Sequence, residues 1–204
     1  RWQNLAKLVR KLILIATSEA GSGHPTSSMS SADLTTVLFD KYLRFDVKSP
    51  SSSSNDRFII SKGHVSPLLY ALWAMAGAIS EEKLLTLRKF GSILEGHPTP
   101  RFPYAEVATG SLGQGLSVGA GFALAGKLDN LSFKTYVLLG DGEMAEGSVW
   151  EAANFASYYK LNNLIAVVDV NRLGQSGETM FGHQVLEYQK RLSSFGWQTV
   201  EING

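Results

Sequence analysis

The sequence predicts an α/β fold: a doubly wound, mainly parallel sheet with helices on both faces. Short apolar runs alternate along the chain with longer segments in which apolar residues recur at helical spacing. The runs are apolar almost throughout, as expected of strands that are buried on both faces. Glycine, histidine, carboxylate and amide residues follow the ends of these runs, and ligands bind at that edge of parallel sheets. These three observations favour the α/β class.

Each element follows from its local pattern. Apolar residues three and four apart predict the first helix at 5–17, and two glycines and a proline within 21–25 end it. The segment 113–128 is rich in glycine and alanine, which predicts a helix packed closely against its neighbours. The other predicted elements are a helix from Ser30 or Ser31 to Tyr42, an exposed serine-rich loop at 49–55, a strand at 57–61, helices at 66–76 and 80–90, a strand at 135–139, a helix at 148–159, a strand at 164–170, a helix at 184–195 and a strand at 197–202.

Composition excludes several classes of protein. The 204 residues suit one domain, 1–204, and 44% hydrophobic residues predict a buried core. A net charge of +1 is too small for a nucleic-acid surface, and the absence of cysteine excludes disulfides and thiolate metal sites. Without a signal peptide or a run of about 18 apolar residues, we expect a cytoplasmic protein away from membranes. Because residue 204 directly follows a predicted strand, we expect a chain truncated at its C-terminus or one part of a split enzyme.

Two polar residues follow neighbouring predicted strands. Asp141 stands between two glycines after the strand at 135–139, and Asn171 directly follows the strand at 164–170. A strand–helix–strand unit brings these strand ends side by side, so both side chains would face one crevice. Their oxygens suit Mg²⁺ or Ca²⁺, and Mg²⁺ commonly completes its shell with water and phosphate oxygens. Gly-Asp-Gly alone is also an ordinary turn, so the prediction rests on the whole arrangement.

This arrangement resembles the Gly-Asp-Gly…Asn signature of thiamine-diphosphate enzymes, with Asn171-Arg172 where the family often has Asn-Asn. The resemblance implies that Asp141, Asn171 and the main-chain carbonyl of Leu173 bind the metal. Nearly the whole chain is similar to the transketolase family, and animal-type members most closely. Four further segments carry that similarity: Gly-Ser-Gly-His-Pro-Thr-Ser at 21–27, Ser-Lys-Gly-His at 61–64, Glu-Gly-His-Pro at 95–98 and Thr-Gly-Ser-Leu-Gly-Gln-Gly at 109–115.

The transketolase resemblance implies an activity and a set of site residues. Thiamine diphosphate, held with Mg²⁺ or Ca²⁺, would carry a two-carbon ketol unit reversibly from a ketose phosphate to an aldose phosphate in the pentose phosphate pathway. The implied catalytic residues are His24 and His97 at the donor sugar, His64 near the diphosphate, and Glu146. The implied cofactor contacts are Ser27 and Gly142 near the phosphates, His64, the ring-lining Gly110, Ser111 and Leu112, then Asn171 and Gln175.

For two side chains, Glu146 and His183, the sequence also allows an interpretation without a role in the reaction. Glu146 is either an ordinary acid at a helix start, stabilised by the helix dipole, or part of a carboxylate network at a subunit interface, as the resemblance implies. His183 lies outside the motifs and is expected to be structural.

The glutamate that activates the cofactor belongs, in this family, to a pyrimidine-binding domain that nothing in the 204 residues resembles. We therefore expect a complementary domain or subunit, in a homodimer or heterotetramer, and an isolated chain without activity. Three alternatives stay open: a sister enzyme such as dihydroxyacetone synthase or 1-deoxyxylulose-5-phosphate synthase, a non-catalytic homologue that acts as a binding partner, and an α/β domain with no cofactor.

Overall fold

Strands form where the sequence has its continuous apolar runs. The structure is a computed structural model that describes residues 1–203. These residues form two compact units: unit 1 contains 1–56 and 63–110, and unit 2 contains 57–62 and 111–203. No helix within 1–203 is both long and apolar enough to cross a membrane.

Unit 1 is helical. Its first helix has an apolar face that includes Val9 and Ile13, and it ends at Gly21, whose φ of 57° is the left-handed conformation favoured by glycine. The fully buried Trp73 lies against Phe39 and Phe45, with ring centroids 5.0 Å and 4.6 Å away. The helices are α1 (Trp2–Ala20), α2 (Pro25–Ser30), α3 (Ala32–Val37), a π-helical turn (Leu38–Tyr42), a 3-10 turn (Gly63–Val65), α4 (Ser66–Met75) and α5 (Glu81–Leu84).

The helix predicted from Ser30 or Ser31 to Tyr42 is confirmed by α3 and the π-helical turn, which together span residues 32–42. The short helix α2 before it is not predicted by the sequence pattern, because Pro25 reads as a helix breaker although proline is tolerated in a first helical turn. The predicted helix that follows α4 differs from the structure. The helix predicted at 80–90 ends at Leu84, and Arg88 adopts a φ of 59° and donates its N–H to Leu94. That left-handed backbone cannot continue a helix.

Unit 2 is built on a parallel sheet with strand order β1-β2-β3. Val137 in the central strand is paired with Ile59 on one side and Ala166 on the other. This confirms the predicted α/β fold with a parallel sheet. The elements are β1 (Arg57–Ile60), α6 (Gln114–Leu128), β2 (Thr135–Gly140), a 3-10 turn (Gly142–Ala145), α7 (Gly147–Tyr158), β3 (Leu164–Asp169) and α8 (Val185–Ser194).

Helix α6 packs closely on this sheet, as its glycine content predicts. A Cβ on Gly119 would lie 2.5 Å from the Val137 side chain, and a Cβ on Gly115 would lie 2.4 Å from the Ser61 side chain. Both distances are shorter than real carbon contacts allow, so only glycine permits this approach.

The strand predicted at 197–202 is wrong. Residues 197–203 have no regular secondary structure, and Val200 is 83% exposed. The backbone N–H of Trp197 donates to Leu192 in α8, and its indole N–H donates to Ala153 in α7. These bonds hold the start of the segment on helices of unit 2 and not on its sheet.

Candidate functional site

The carboxyl ends of the three strands meet at one edge of the sheet in unit 2. Gly140 is paired with Asp169, so β2 and β3 end at the same level. Ser61 directly continues β1 and donates its backbone N–H to Leu138 of β2. The residues just past the strands therefore share this edge, as the α/β prediction requires.

Asp141, just past β2, is buried and well held. It is 4% exposed, and its Oδ2 accepts hydrogen bonds from the Thr179 hydroxyl at 2.7 Å and from the backbone N–H of Arg172 at 2.8 Å. Its own backbone N–H donates to the carbonyl of Asp169 at 3.2 Å. Since Arg172 directly follows Asn171, this bond brings the backbone beside Asn171 to the Asp141 carboxylate.

The segment after β3 turns back on itself. Arg172 has a φ of 59°, Leu173 forms an antiparallel bridge with Glu178, and the N–H of Gly174 donates to Gly177 at 2.8 Å. Gln175 is exposed in this turn. The left-handed residue lets the chain reverse directly after Asn171.

The Asn171 amide is held at both ends. Its Oδ1 accepts the backbone N–H of Leu173 at 2.9 Å, and its Nδ2 donates to Asp169 Oδ2 at 3.3 Å. The same Asp169 oxygen accepts a hydrogen bond from the ammonium group of Lys62, a lysine that is only 2% exposed. Sequence reasoning placed Lys62 in a motif but missed its partner, because nothing in the sequence links positions 62 and 169.

Glu143 is a buried carboxylate that sequence reasoning did not single out. Its Oε1 accepts the Ser61 hydroxyl and the backbone N–H of Gly113 at 2.7 Å. Its Oε2 accepts the backbone N–H of Gly140 at 3.1 Å, and Ser61 accepts in turn from Gly115. These bonds join the ends of β1 and β2 to the start of α6.

The surroundings of Glu143 act on its pKa in opposite directions. Burial raises the pKa of this carboxyl, while the hydrogen bonds from Ser61 and the two glycine N–H groups lower it, as does the charge of Lys62. The carboxylate also lies at the start of α6, where the positive end of the helix dipole favours a negative charge.

The remaining predicted residues of unit 2 lie just before or within helical segments. Ser111 and Leu112 are exposed just before α6, and Gly142 begins the 3-10 turn after Asp141. Glu146 is exposed at the N-cap position of α7, and its side chain makes no capping hydrogen bond. This position fits an acid at a helix start, and the interface role stays a prediction.

Three of the four histidines lie in unit 1. His24 is the N-cap residue of α2, and its ring lies edge-on to that of His64, with centroids 5.3 Å apart. His97 follows Gly96 in the loop after α5. Ser27 is half-buried on α2, and the fourth histidine, His183, is exposed in unit 2.

Glycines position this histidine group, defined as His24, His64 and His97. A Cβ on Gly110 would lie 2.9 Å from the His97 ring, and a Cβ on Gly63 would lie 2.5 Å from the carbonyl oxygen of Thr109. Only glycine fits at these points, which explains two of the glycines in the predicted motifs.

The pKa of His97 is lower than its ordinary value. Partial burial of the imidazole is the largest cause, followed by the positive charge of Arg88 and then that of His24. The lowered pKa favours the neutral form of the His97 ring, in which one ring nitrogen can donate a hydrogen bond while the other accepts one.

The donors at the sheet edge are oxygens of different kinds. Within residues 1–203, no cluster of three or more histidine, cysteine, aspartate or glutamate residues is arranged to hold a metal ion. The predicted ligands are a carboxylate, an amide oxygen and a main-chain carbonyl, which are hard donors of the kind that Mg²⁺ or Ca²⁺ prefers.

Comparison with known proteins agrees with this geometry. The family model described as "Transketolase, thiamine diphosphate binding domain" matches residues 2–204. Human transketolase is 51% identical over 203 residues, which cover 99% of this chain and 33% of the human protein. One subunit of the apulose-4-phosphate transketolase of Phocaeicola vulgatus is 44% identical over 195 residues, which cover 96% of this chain and 69% of that protein.

Solved structures show the same relationship. The transketolase of Leishmania mexicana superposes with a TM-score of 0.91 at 31% identity, over 99% of this chain and 32% of that one. The transketolase of Pichia stipitis in complex with sedoheptulose 7-phosphate gives a TM-score of 0.89 at 36% identity, over 98% of this chain and 31% of that one. The chain spans about a third of the length of the animal transketolases it matches. It belongs to the transketolase family, as a thiamine-diphosphate-binding domain.

Proposed function

We propose that this chain supplies the diphosphate- and metal-binding half of a transketolase active site. That site would reversibly transfer a two-carbon ketol unit from a ketose phosphate to an aldose phosphate, as in the pentose phosphate pathway. One observation carries the proposal: at the carboxyl edge of the sheet, the buried carboxylate of Asp141 is hydrogen-bonded to the backbone N–H that directly follows Asn171. Parallel sheets bind ligands at this edge.

The metal site would consist of Asp141, Asn171 and the carbonyl of Leu173, with Mg²⁺ or Ca²⁺ as the ion. Within residues 1–203, both hydrogen bonds that the Asp141 carboxylate accepts go to Oδ2, which leaves Oδ1 for a ligand. The Asn171 oxygen, which accepts the hydrogen bond from Leu173, is a hard donor of the kind that a divalent cation binds. The donor set therefore fits a divalent cation whose shell is completed by a diphosphate.

The chain's other residues would bind and orient the cofactor. Ser27, His64 and Gly142 would lie near the phosphates, and Gly110, Ser111 and Leu112 would line the rings. Gln175 would be a further polar neighbour of the cofactor. Thiamine diphosphate, when bound, supplies the carbanion and electron sink needed to break a carbon–carbon bond. Neutral His97, with His24, would hold the sugar hydroxyls and exchange protons with them near neutral pH.

A partner follows from what the chain lacks. No pyrimidine-binding domain is recognisable in its sequence, so we propose a complementary domain or subunit within a homodimer or heterotetramer. The similarity to a protein named as a subunit, of which the chain covers 69%, supports the split arrangement. We further propose a cytoplasmic location, single-domain organisation over 1–204, and sugar phosphates as substrates.

Calorimetry tests the binding half of the proposal. Thiamine diphosphate titrated with Mg²⁺ present should bind the wild-type chain combined with a complementary pyrimidine-binding domain, and Asp141→Ala should abolish that binding. Asp129→Ala, which removes an exposed carboxylate after α6, is the matched control and should bind like wild type. Equal binding by the Asp141 and Asp129 variants would contradict the proposed metal site.

An activity assay tests the reaction itself. Two-carbon transfer from xylulose 5-phosphate should appear only when the pyrimidine-binding domain is present. A sister enzyme would bind the cofactor but fail this assay, and a non-catalytic homologue would bind the cofactor without any turnover. Transfer by the isolated 204-residue chain would contradict the need for a partner.

A further inference from the structure

A buried ion pair between Lys62 and Asp169 lies next to Asn171 of the proposed metal site. Lys62 is 2% exposed and the Asp169 side chain 12%, and the ammonium group contacts Asp169 Oδ2. Burying a charge without a partner is energetically unfavourable, so the ammonium group of Lys62 and the carboxylate of Asp169 hold each other in position. The hydrocarbon chain of Lys62 passes close to Gly140 at the end of β2. A Cβ on Gly140 would lie 3.5 Å from it, in ordinary van der Waals contact.

Asp169 is hydrogen-bonded to both residues that are predicted to bind the metal through their side chains, Asp141 and Asn171. Its Oδ2 accepts the side-chain amide N–H of Asn171 at 3.3 Å, and its backbone carbonyl accepts the N–H of Asp141 at 3.2 Å. It is therefore placed to orient one side chain directly and the other through the backbone.

The chemistry of an amide makes this orientation matter. An asparagine side chain ends in an NH₂ group that only donates and an oxygen that only accepts, and only the oxygen can bind a cation. The carboxylate of Asp169 requires a donor, so it selects the NH₂ end of Asn171, while the N–H of Leu173 selects the oxygen end. Turning the amide by half a rotation would set oxygen against carboxylate and N–H against NH₂.

We propose that Asp169, held by Lys62, is a positioning residue that fixes the Asn171 amide with its oxygen available to the metal. The inference rests on the proposed function, because it assumes that a divalent cation binds at Asp141 and Asn171. Outer-shell carboxylates that orient a ligand typically change metal affinity by about 10–100-fold when they are replaced.

The decisive experiment exchanges the carboxylate and the amide. The Kd for Mg²⁺ is measured by calorimetry in the metal-stripped holoenzyme with thiamine diphosphate present. Asp169→Asn should raise that Kd by about 10–100-fold. The double variant Asp169→Asn/Asn171→Asp should recover most of the lost affinity, because the new amide can accept from Lys62 and donate to the new carboxylate. A carboxylate at 171 has two equivalent oxygens and needs no orientation.

A purely structural role for Asp169 gives the opposite result. If Asp169 only neutralises Lys62, the double variant recovers no more affinity than the new carboxylate adds in Asn171→Asp alone, which is the control for this comparison. Equal loss in both variants therefore overturns the inference, as does an unchanged Kd in Asp169→Asn. A wild-type protein that binds thiamine diphosphate without any dependence on Mg²⁺ overturns the proposed function, and this inference with it.

Two further variants separate positioning from folding. Lys62→Gln keeps a donor for Asp169 and should raise the Kd less than Asp169→Asn does, which supplies a test if Asp169→Asn does not fold. An unchanged Kd in a folded Lys62→Gln protein would overturn the role given to Lys62. Arg44→Gln is the matched control, because Arg44 is paired with the fully buried Asp56 in unit 1. It should lower the melting temperature and leave the Kd for Mg²⁺ unchanged.

Discussion

The acidic group of unit 2 and the histidine group of unit 1 are built in different ways. The acidic group, defined as Asp141, Glu143 and Asp169, is largely buried, and each carboxylate accepts at least two hydrogen bonds or ion pairs. The histidine group is more open: His24 and His97 are exposed, and backbone turns and glycines set their positions.

The difference matches what each group would have to bind. A small divalent cation demands near-fixed ligand geometry, so its ligands need rigid support. Sugar substrates must enter and leave, and residues that contact them need access to solvent. We therefore expect substitutions in the acidic group to affect cofactor binding or folding, and substitutions in the histidine group to affect turnover of sugars.

The largest effect tests whether the two groups have separate roles. Asp141→Ala should abolish Mg²⁺-dependent binding of thiamine diphosphate, because it removes the only proposed carboxylate ligand. His97→Ala should keep that binding and lose two-carbon transfer. Calorimetry and the transfer assay, applied to both variants, give the comparison. Loss of cofactor binding in His97→Ala would show that the separation is wrong.

The second effect concerns stability. Glu143→Gln leaves one amide oxygen for three donors and turns an NH₂ group toward a backbone N–H, so it should lower the free energy of unfolding by about 1–3 kcal/mol. The exposed Glu146, three residues later, provides the matched control. Glu146→Gln should change stability by no more than about 0.5 kcal/mol in denaturant titrations. Similar losses in the two variants would contradict the network described for Glu143.

The third effect concerns close packing in α6. Gly119→Ala should cost about 1–3 kcal/mol, because the new methyl group would overlap Val137. Gly121 lies on the same helix with nothing within 4 Å of its Cβ position. Gly121→Ala should therefore stabilise the protein by about 0.5–1 kcal/mol through better helix propensity. Thermal unfolding of the pair measures both, and a shift in the same direction would refute the packing argument.

The smallest effect is electrostatic and lies in the histidine group. Arg88→Gln should raise the pKa of His97, because one of the positive charges that lower it is removed. The folded pKa of His97 lies below the ordinary 6.5, so the unfolded chain binds this proton more tightly. The free energy of unfolding therefore falls as the pH drops through 6.5, until the folded pKa is passed. Arg88→Gln should reduce that fall.

NMR titration of the imidazole protons reads the pKa of His97 directly. Arg101→Gln is the control, since Arg101 is paired with Glu95 and is not among the causes of the lowered pKa. A pKa of His97 that is equal in the wild-type protein and in Arg88→Gln would contradict this assignment.

Local pattern predicted most of the fold. The strands around Ile59, Val137 and Ala166 and the helices at 66–76, 113–128 and 148–159 agree with the structure within one or two residues, because continuous apolar runs and helical spacing report directly on burial. The prediction of a strand at 197–202 was wrong, because a segment of this kind forms a strand only when another strand pairs with it.

The candidate site was predictable only in part. Asp141 and Asn171 could be placed together because both follow strands of one βαβ unit. Glu143 and the Lys62–Asp169 pair could not, because their partners are up to 107 residues away in the sequence and no periodicity links them. Nor did any composition shift mark the boundary between the two units.

The hydrogen bond between Ser61 and Glu143 also bears on how the chain folds. It joins residues 82 positions apart, and β1 is paired with β2 across a similar interval that contains α4 and α5 of unit 1. Closing so long a loop is entropically unfavourable, and folding slows as contacts become more distant in sequence. The start of α6, whose backbone N–H groups donate to this pair, should therefore become ordered late in folding, after local helices such as α1 have formed.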